Sequence, residues 1–113
     1  MTLDDLRAYG ANVDEGLGRC MGMEAVYLRL VGTIASEQNF GRLQEAIAAG
    51  DLDSAFEAAH ALKGILGNLS LTPLFDPMSE LCEALRASNR QPGFDYAPLM
   101  GTITERLEQF KAL

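Results

Sequence analysis

Positive charge is scarce in this chain. Nine lysines and arginines stand against sixteen aspartates and glutamates, giving a formal charge of −7 and a pI near 4.5. Nucleic acid and anionic membrane both select cationic faces, so neither is expected as a partner. Cysteine is equally sparse. Cys20 and Cys82 lie far apart, no C-x-x-C occurs, and there is one histidine. Those few soft ligands exclude a zinc site, and no metal ligand set is expected. A reduced, cytoplasmic setting fits two scattered thiols. No apolar run approaches the roughly 18–20 residues of a membrane span. Residues 1–10 already carry Asp4, Asp5 and Arg7, so no secretory leader is expected. Internal repeats and low-complexity linkers are absent. So is any glycine-rich phosphate loop, or a carboxylate set placed for magnesium. The chain is therefore expected neither to phosphorylate itself from ATP nor to hold a cofactor of its own. β-branched residues are few and never alternate with polar ones over a useful length, which excludes a sheet and leaves an all-α chain.

Hydrophobic residues make up 48% of the 113, enough for one domain with a real core. Thr2 can cap a short helix ending near Gly10. Asn12 can cap a second, with Asp14 and Glu15 at its positive end. Val26, Tyr27, Leu30, Val31 and Ile34 form a stripe of helical period. Phe40, Leu43, Ala46 and Ile47 form another, closed by Gly50 as a left-handed stop. Asp51 follows at once as the next N-cap, so the Gly50-Asp51 pair reads as a tight turn between antiparallel helices. Leu52, Ala55, Phe56, Ala59, Leu62, Leu66 and Leu69 line the core side of the central helix. Thr72-Pro73 signals the next start, with threonine as cap and proline first. Leu74, Met78, Leu81 and Leu85 carry the period on, and Pro77 is expected to distort the first turn. Asp95 caps a last helix whose buried stripe is Tyr96, Leu99, Ile103, Leu107 and Phe110. The prediction is an antiparallel up-down four-helix bundle with helices at about 39–49, 51–69, 73–88 and 95–112, and short additional helices within 2–36.

The central helix carries the oddity of the chain, Ala59-His60-Ala61-Leu62-Lys63-Gly64-Ile65-Leu66-Gly67. It holds the one histidine and two glycines, each of which weakens a helix by about 1 kcal/mol relative to alanine. At about 100° per residue, His60, Gly64 and Gly67 share a flank beside the core stripe. Taken alone, a single histidine there reads as a satisfied residue at the edge of a core, and glycines as sites of close helix packing. The combination points elsewhere. An imidazole lone pair is available at neutral pH and can attack phosphorus to form a covalent phosphoramidate. Phosphoryl transfer needs in-line approach and charge neutralisation. Glycines leave space for the approach, and Lys63, one turn on, carries a mobile positive charge. Ile65, outside the core stripe, is a candidate for an apolar docking surface around the ring.

These residues resemble those of the histidine-containing phosphotransfer (HPt) domains of multistep phosphorelays. The similarity lies in Ala59-His60-Ala61-Leu62-Lys63-Gly64 and in Gly67-Asn68-Leu69-Ser70-Leu71. It extends to Asn12-Val13-Asp14-Glu15-Gly16-Leu17, to Glu24-Ala25-Val26-Tyr27-Leu28 and to Ala48-Ala49-Gly50-Asp51, and so covers most of the chain. The resemblance implies that His60 is the phosphoacceptor, that Lys63 assists and that Gly64 leaves room for the partner. The implied partners are response-regulator receiver domains or a hybrid sensor histidine kinase, with Mg2+ carried by the receiver, and the chain acts as a monomeric carrier. Two positions depart from the pattern. Ser70 stands where such domains usually carry glycine or alanine. Cys82 stands where several place a polar residue near the phosphate, and Arg86, one turn further, is a candidate to supply charge instead. Two alternatives stay open at this level: a degenerate binding module of the same fold, and a structural bundle without phosphotransfer.

Overall fold

The computed structural model describes all 113 residues. Three short helices come first: α1 (Leu3–Tyr9), α2 (Val13–Arg19) and α3 (Glu24–Gly32), the last running into a 3-10 turn at Thr33–Ser36. Four longer ones follow: α4 (Asn39–Ala49), α5 (Leu52–Asn68), α6 (Thr72–Leu85) and α7 (Ala97–Lys111). There is no strand. α4 to α7 form the antiparallel bundle, with α5 packed between α4 and α6, and α7 against α6. The body measures 44 × 24 × 20 Å.

Local chemistry sets most boundaries. The Thr2 hydroxyl accepts from the Asp5 N–H while the Asp5 carboxylate accepts from the Thr2 N–H, a reciprocal capping box. Asn12 accepts from Glu15 N, and Asp51 from Ser54 N. Gly50 sits at φ 70°, where a side chain would be strained, and the chain reverses from α4 into α5 there. The core follows the expected stripes closely. Tyr27, Val31, Ile34, Leu43, Leu62, Leu66, Leu74, Met78, Leu81 and Leu85 are all fully buried. Ala58 is buried too, whereas Leu52, Phe56, Tyr96 and Leu99 are only partly buried and Leu30, expected in the α3 stripe, is exposed on the outer side of that helix.

Boundaries differ from expectation where the interactions are not local. Thr72 is the first residue of α6 rather than its cap, and Pro73 the second. Pro77 lies inside α6 without breaking it. Its missing N–H leaves the Pro73 carbonyl free, and the Arg106 guanidinium from α7 donates to that oxygen at 2.8 Å. α6 stops at Leu85, short of the predicted 88. Arg86 turns extended (φ −58°, ψ 132°), and the side chains of Asn89 and Arg90 donate to the Glu83 and Leu85 carbonyls at 3.0 and 2.8 Å. Arg90 also pairs with Asp53 at 2.9 Å, anchoring this turn to the start of α5. α7 begins at Ala97, two residues after the predicted cap. The Asp95 carboxylate still accepts from the Ala97 N–H, one position ahead of the cap.

α1 is held against the far end of α7. Tyr9 donates its hydroxyl to the Arg106 carbonyl at 2.7 Å and packs its ring 6.0 Å from that of Phe110. Burial pushes the Tyr9 pKa up to about 12, with the Arg106 cation acting in the opposite direction. Between the unfolded value of 10.0 and about 12, the folded chain keeps a proton that the unfolded chain has released. The native state then binds more protons, so stability falls as pH rises through that window. Tyr27, also raised by burial, contributes in the same direction. Melting temperatures measured across this window are expected to fall more steeply for the wild type than for Tyr9→Phe. Equal slopes would refute the assignment.

Candidate functional site

His60 lies on the exposed side of α5, at one wall of an open depression of about 520 Å³. α5 also contributes Lys63, Gly64 and Gly67 to the lining. Helical side chains lean toward the N-terminus and cover the turn before their own Cα. A side chain at position 64 would therefore lie over the imidazole. The glycine there leaves only space, since a Cβ built on it meets nothing within 4 Å. In the opposite direction the imidazole itself leans back onto Phe56. The two rings stack with centroids 5.7 Å apart and planes inclined by 29°.

The other wall comes from α2 and from the turn between α5 and α6. Arg19 reaches across to donate to the Gly67 carbonyl and to the Ser70 hydroxyl, both at 2.7 Å. Glu15 pairs with Arg19 at 2.9 Å and accepts from the Ser70 hydroxyl at 2.9 Å. Ser70 holds φ 55°, a left-handed conformation uncommon outside glycine, and its side chain is fixed from both sides. Two further donors meet the same turn. The Asn12 N–H bonds the Ser70 carbonyl at 2.9 Å, and the buried Tyr27 hydroxyl bonds the Leu69 carbonyl at 2.8 Å. Gly16 is required by this arrangement, because a Cβ there would sit 2.5 Å from the Tyr27 ring. The Ile65, Leu66 and Gly67 carbonyls accept from the Leu69, Leu71 and Ser70 N–H groups of the turn. Arg19 adds its cation at Gly67, where a helix end favours one, and Tyr27 and Asn12 fix the turn that follows.

The model of the Hpt domain family matches residues 34–112, well over half of the chain. The chain belongs to the Hpt domain family. These are the histidine phosphotransfer domains of two-component phosphorelays, carriers of a phosphoryl group rather than enzymes. No curated protein and no solved structure matches the chain significantly. No helix is long and apolar enough to cross a membrane.

The predicted site residues of this Hpt domain do not all converge. His60, Lys63, Gly64 and Gly67 line one depression. Lys63 is engaged there, 3.8 Å from Glu83 of α6. Gly67 differs from Gly64: its added Cβ would lie 3.1 Å from the Phe75 ring of α6, so close helix packing accounts for it as much as access does. Ile65 does not reach the depression and is half-buried against the core on another side of α5. Cys82 is fully buried, and burial raises its thiol pKa, with the Lys63 charge lowering it in part. It offers no polar group to the opening. Arg86, at the C-terminal end of α6, lies outside the lining as well, which α6 enters only through Thr72 and Phe75 near its start. It forms two hydrogen bonds to Glu83, at 3.0 and 3.3 Å, and sits 5.2 Å above the Phe56 ring. These bonds and the Arg86, Lys63 and His60 charges hold the Glu83 carboxyl below its usual range. Arg19, Glu15 and Phe75 were not anticipated. Arg19 is 48 residues from its partner Gly67, and no local pattern signals such a contact.

The two glycines should separate experimentally. Gly64→Ala adds helix propensity into open space and should stabilise the fold by about 0.5–1 kcal/mol. That corresponds to a rise of roughly 3–5 °C in melting temperature for a domain of this size. Gly67→Ala gains the same propensity but presses on Phe75, and its melting temperature should stay below that of Gly64→Ala. Circular dichroism melts of the two variants test this, and a reversed order would contradict the packing described.

Proposed function

We propose that His60 accepts a phosphoryl group from a receiver-domain aspartate and passes it to the aspartate of another receiver. The observation that carries the proposal is an exposed imidazole left open on its Gly64 side, with Lys63 one turn away. In the loading step a ring nitrogen attacks phosphorus in line with the departing acyl oxygen. The N–P bond forms as the P–O bond breaks, and that electron pair stays on the receiver carboxylate. The remaining ring N–H proton can pass to water, because the depression is open. Unloading is the reverse, toward a second carboxylate. Lys63 is placed to offset charge on the phosphoryl oxygens, at the expense of its pairing with Glu83. The receiver is taken to bring Mg2+. Two unpaired thiols agree with a reducing, cytoplasmic setting.

The test uses candidate receiver domains loaded with radiolabelled acetyl phosphate. Label should move to the wild type and not to His60→Gln. Lys63→Ala should slow transfer roughly tenfold, about 1.4 kcal/mol of barrier. Gly64→Leu should fold yet transfer poorly, because the new side chain leans over the ring. Label on His60→Gln would overturn the assignment. Binding without any transfer would instead indicate a module that only docks.

A further inference from the structure

Resting on the phosphoacceptor reading of His60, we propose that Phe56 is a positioning residue that sets the orientation of the imidazole, and that Arg86 and Glu83 brace it. The contact that orients the His60 ring is a stacked ring rather than a hydrogen bond. Phe56 lies one turn toward the N-terminus, on the side to which a helical side chain at position 60 naturally leans. An exposed imidazole otherwise turns freely about its terminal torsion, which is broad and roughly two-fold. A stacked aromatic pair of this kind favours one ring orientation by about two- to tenfold.

Phe56 is itself held. The Arg86 guanidinium sits 5.2 Å from its ring centroid, the geometry of a cation–π contact. Arg86 is fixed in turn by its two hydrogen bonds to Glu83, and Glu83 reaches Lys63 at 3.8 Å. Lys63 lies beyond His60 on the same helix. Five side chains from two helices and the turn after α6 thus run in sequence around the imidazole: Phe56, Arg86, Glu83, Lys63 and His60 itself. Arg86 caps the end of α6. Its N–H still bonds the Cys82 carbonyl at 3.1 Å and its φ of −58° is helical, so its side chain leaves the helix about one turn beyond Glu83 and reaches over Phe56. Arg86 therefore acts on the site through Phe56 and does not need to touch phosphate. Phe56, read from the sequence as a core residue, is only partly buried, and His60 covers part of the ring that the core leaves open.

His60 is the one histidine, so its Hδ2 and Hε1 proton signals can be read without ambiguity. The stacked Phe56 ring should shift them upfield in the wild type. In Phe56→Leu, a partly buried and volume-tolerant change, they should move downfield. Phosphoryl transfer measured at saturating phosphorylated receiver should slow by about three- to tenfold, matching the lost orientational preference. The receiver dissociation constant should change by less than about twofold, since docking is untouched while orientation is lost. Arg86→Gln should move signals and rate in the same direction by less, leaving the core untouched, and Arg86→Lys should recover part of both. Unmoved His60 signals in both Phe56→Leu and Arg86→Gln would overturn the proposal. So would a slower rate explained wholly by weaker receiver binding. If the signals move as stated but the wild type takes no label from any receiver, the phosphotransfer reading fails while the orientation by Phe56 stands.

Discussion

The carbonyl end of α5 is the constraint on which the site depends. A helix leaves its last carbonyls without partners unless the following turn or another element supplies donors. Here the Gly67, Leu69 and Ser70 carbonyls receive Arg19, Tyr27 and the Asn12 N–H, all from the first 27 residues. α1 to α3 bury Leu6, Val13, Tyr27 and Val31 in the core, and they also supply donors to the end of the helix that carries His60. The family model begins at residue 34, so this clamp lies outside the part of the chain that the family match covers. Its cation also lines the depression, so one residue serves both the helix end and the site.

The bundle was legible in the sequence because its signals are local. Asn12, Asp51 and Gly50 act within three residues of themselves, and the apolar stripes repeat every turn. The flank shared by His60, Gly64 and Gly67 is a property of one helix and survives folding unchanged. What the sequence could not show depends on pairs far apart along the chain. Gly64 and Gly67 look alike on a helical wheel, yet only Gly67 meets Phe75. Cys82 and Arg86 look like neighbours of the phosphate position on a continuous helix. Cys82 is instead buried, and Arg86, capping the end of α6, lies over Phe56 thirty residues earlier, a contact that no local pattern signals. Pro77 was expected to disturb its helix, but a guanidinium from α7 occupies the freed carbonyl.

The two expected departures from the family pattern also acquire physical content. Ser70 is not simply a small residue in a tight turn. It takes a left-handed backbone that glycine would adopt more readily, and its hydroxyl joins Arg19 to Glu15. The hydroxyl thus offsets some of the backbone strain with two hydrogen bonds. Cys82, by contrast, behaves as a small apolar residue. Its burial leaves the polar duties of this part of α6 to Glu83, the next residue.

The distribution of the few cations follows from the same geometry. The chain carries nine in all, and three of them, Arg19, Lys63 and Arg86, surround the His60 flank. None is left bare. Arg19 faces Glu15 at 2.9 Å, and Lys63 and Arg86 share Glu83 at 3.8 and 3.0 Å. All these pairs are substantially exposed, and exposed pairs are held weakly against water and salt. Such an arrangement keeps an acidic protein from presenting a permanent cationic patch that would attract unrelated anions. A phosphoryl dianion on the ring would compete with Glu83 for Lys63 without having to break a buried pair. Under the proposed role of His60, the cation would be available to a charge on the ring, yet bound loosely enough to be returned when that charge departs. For a carrier, which must release what it accepts, weak and exchangeable neutralisation suits the task better than a deep, fixed anion site.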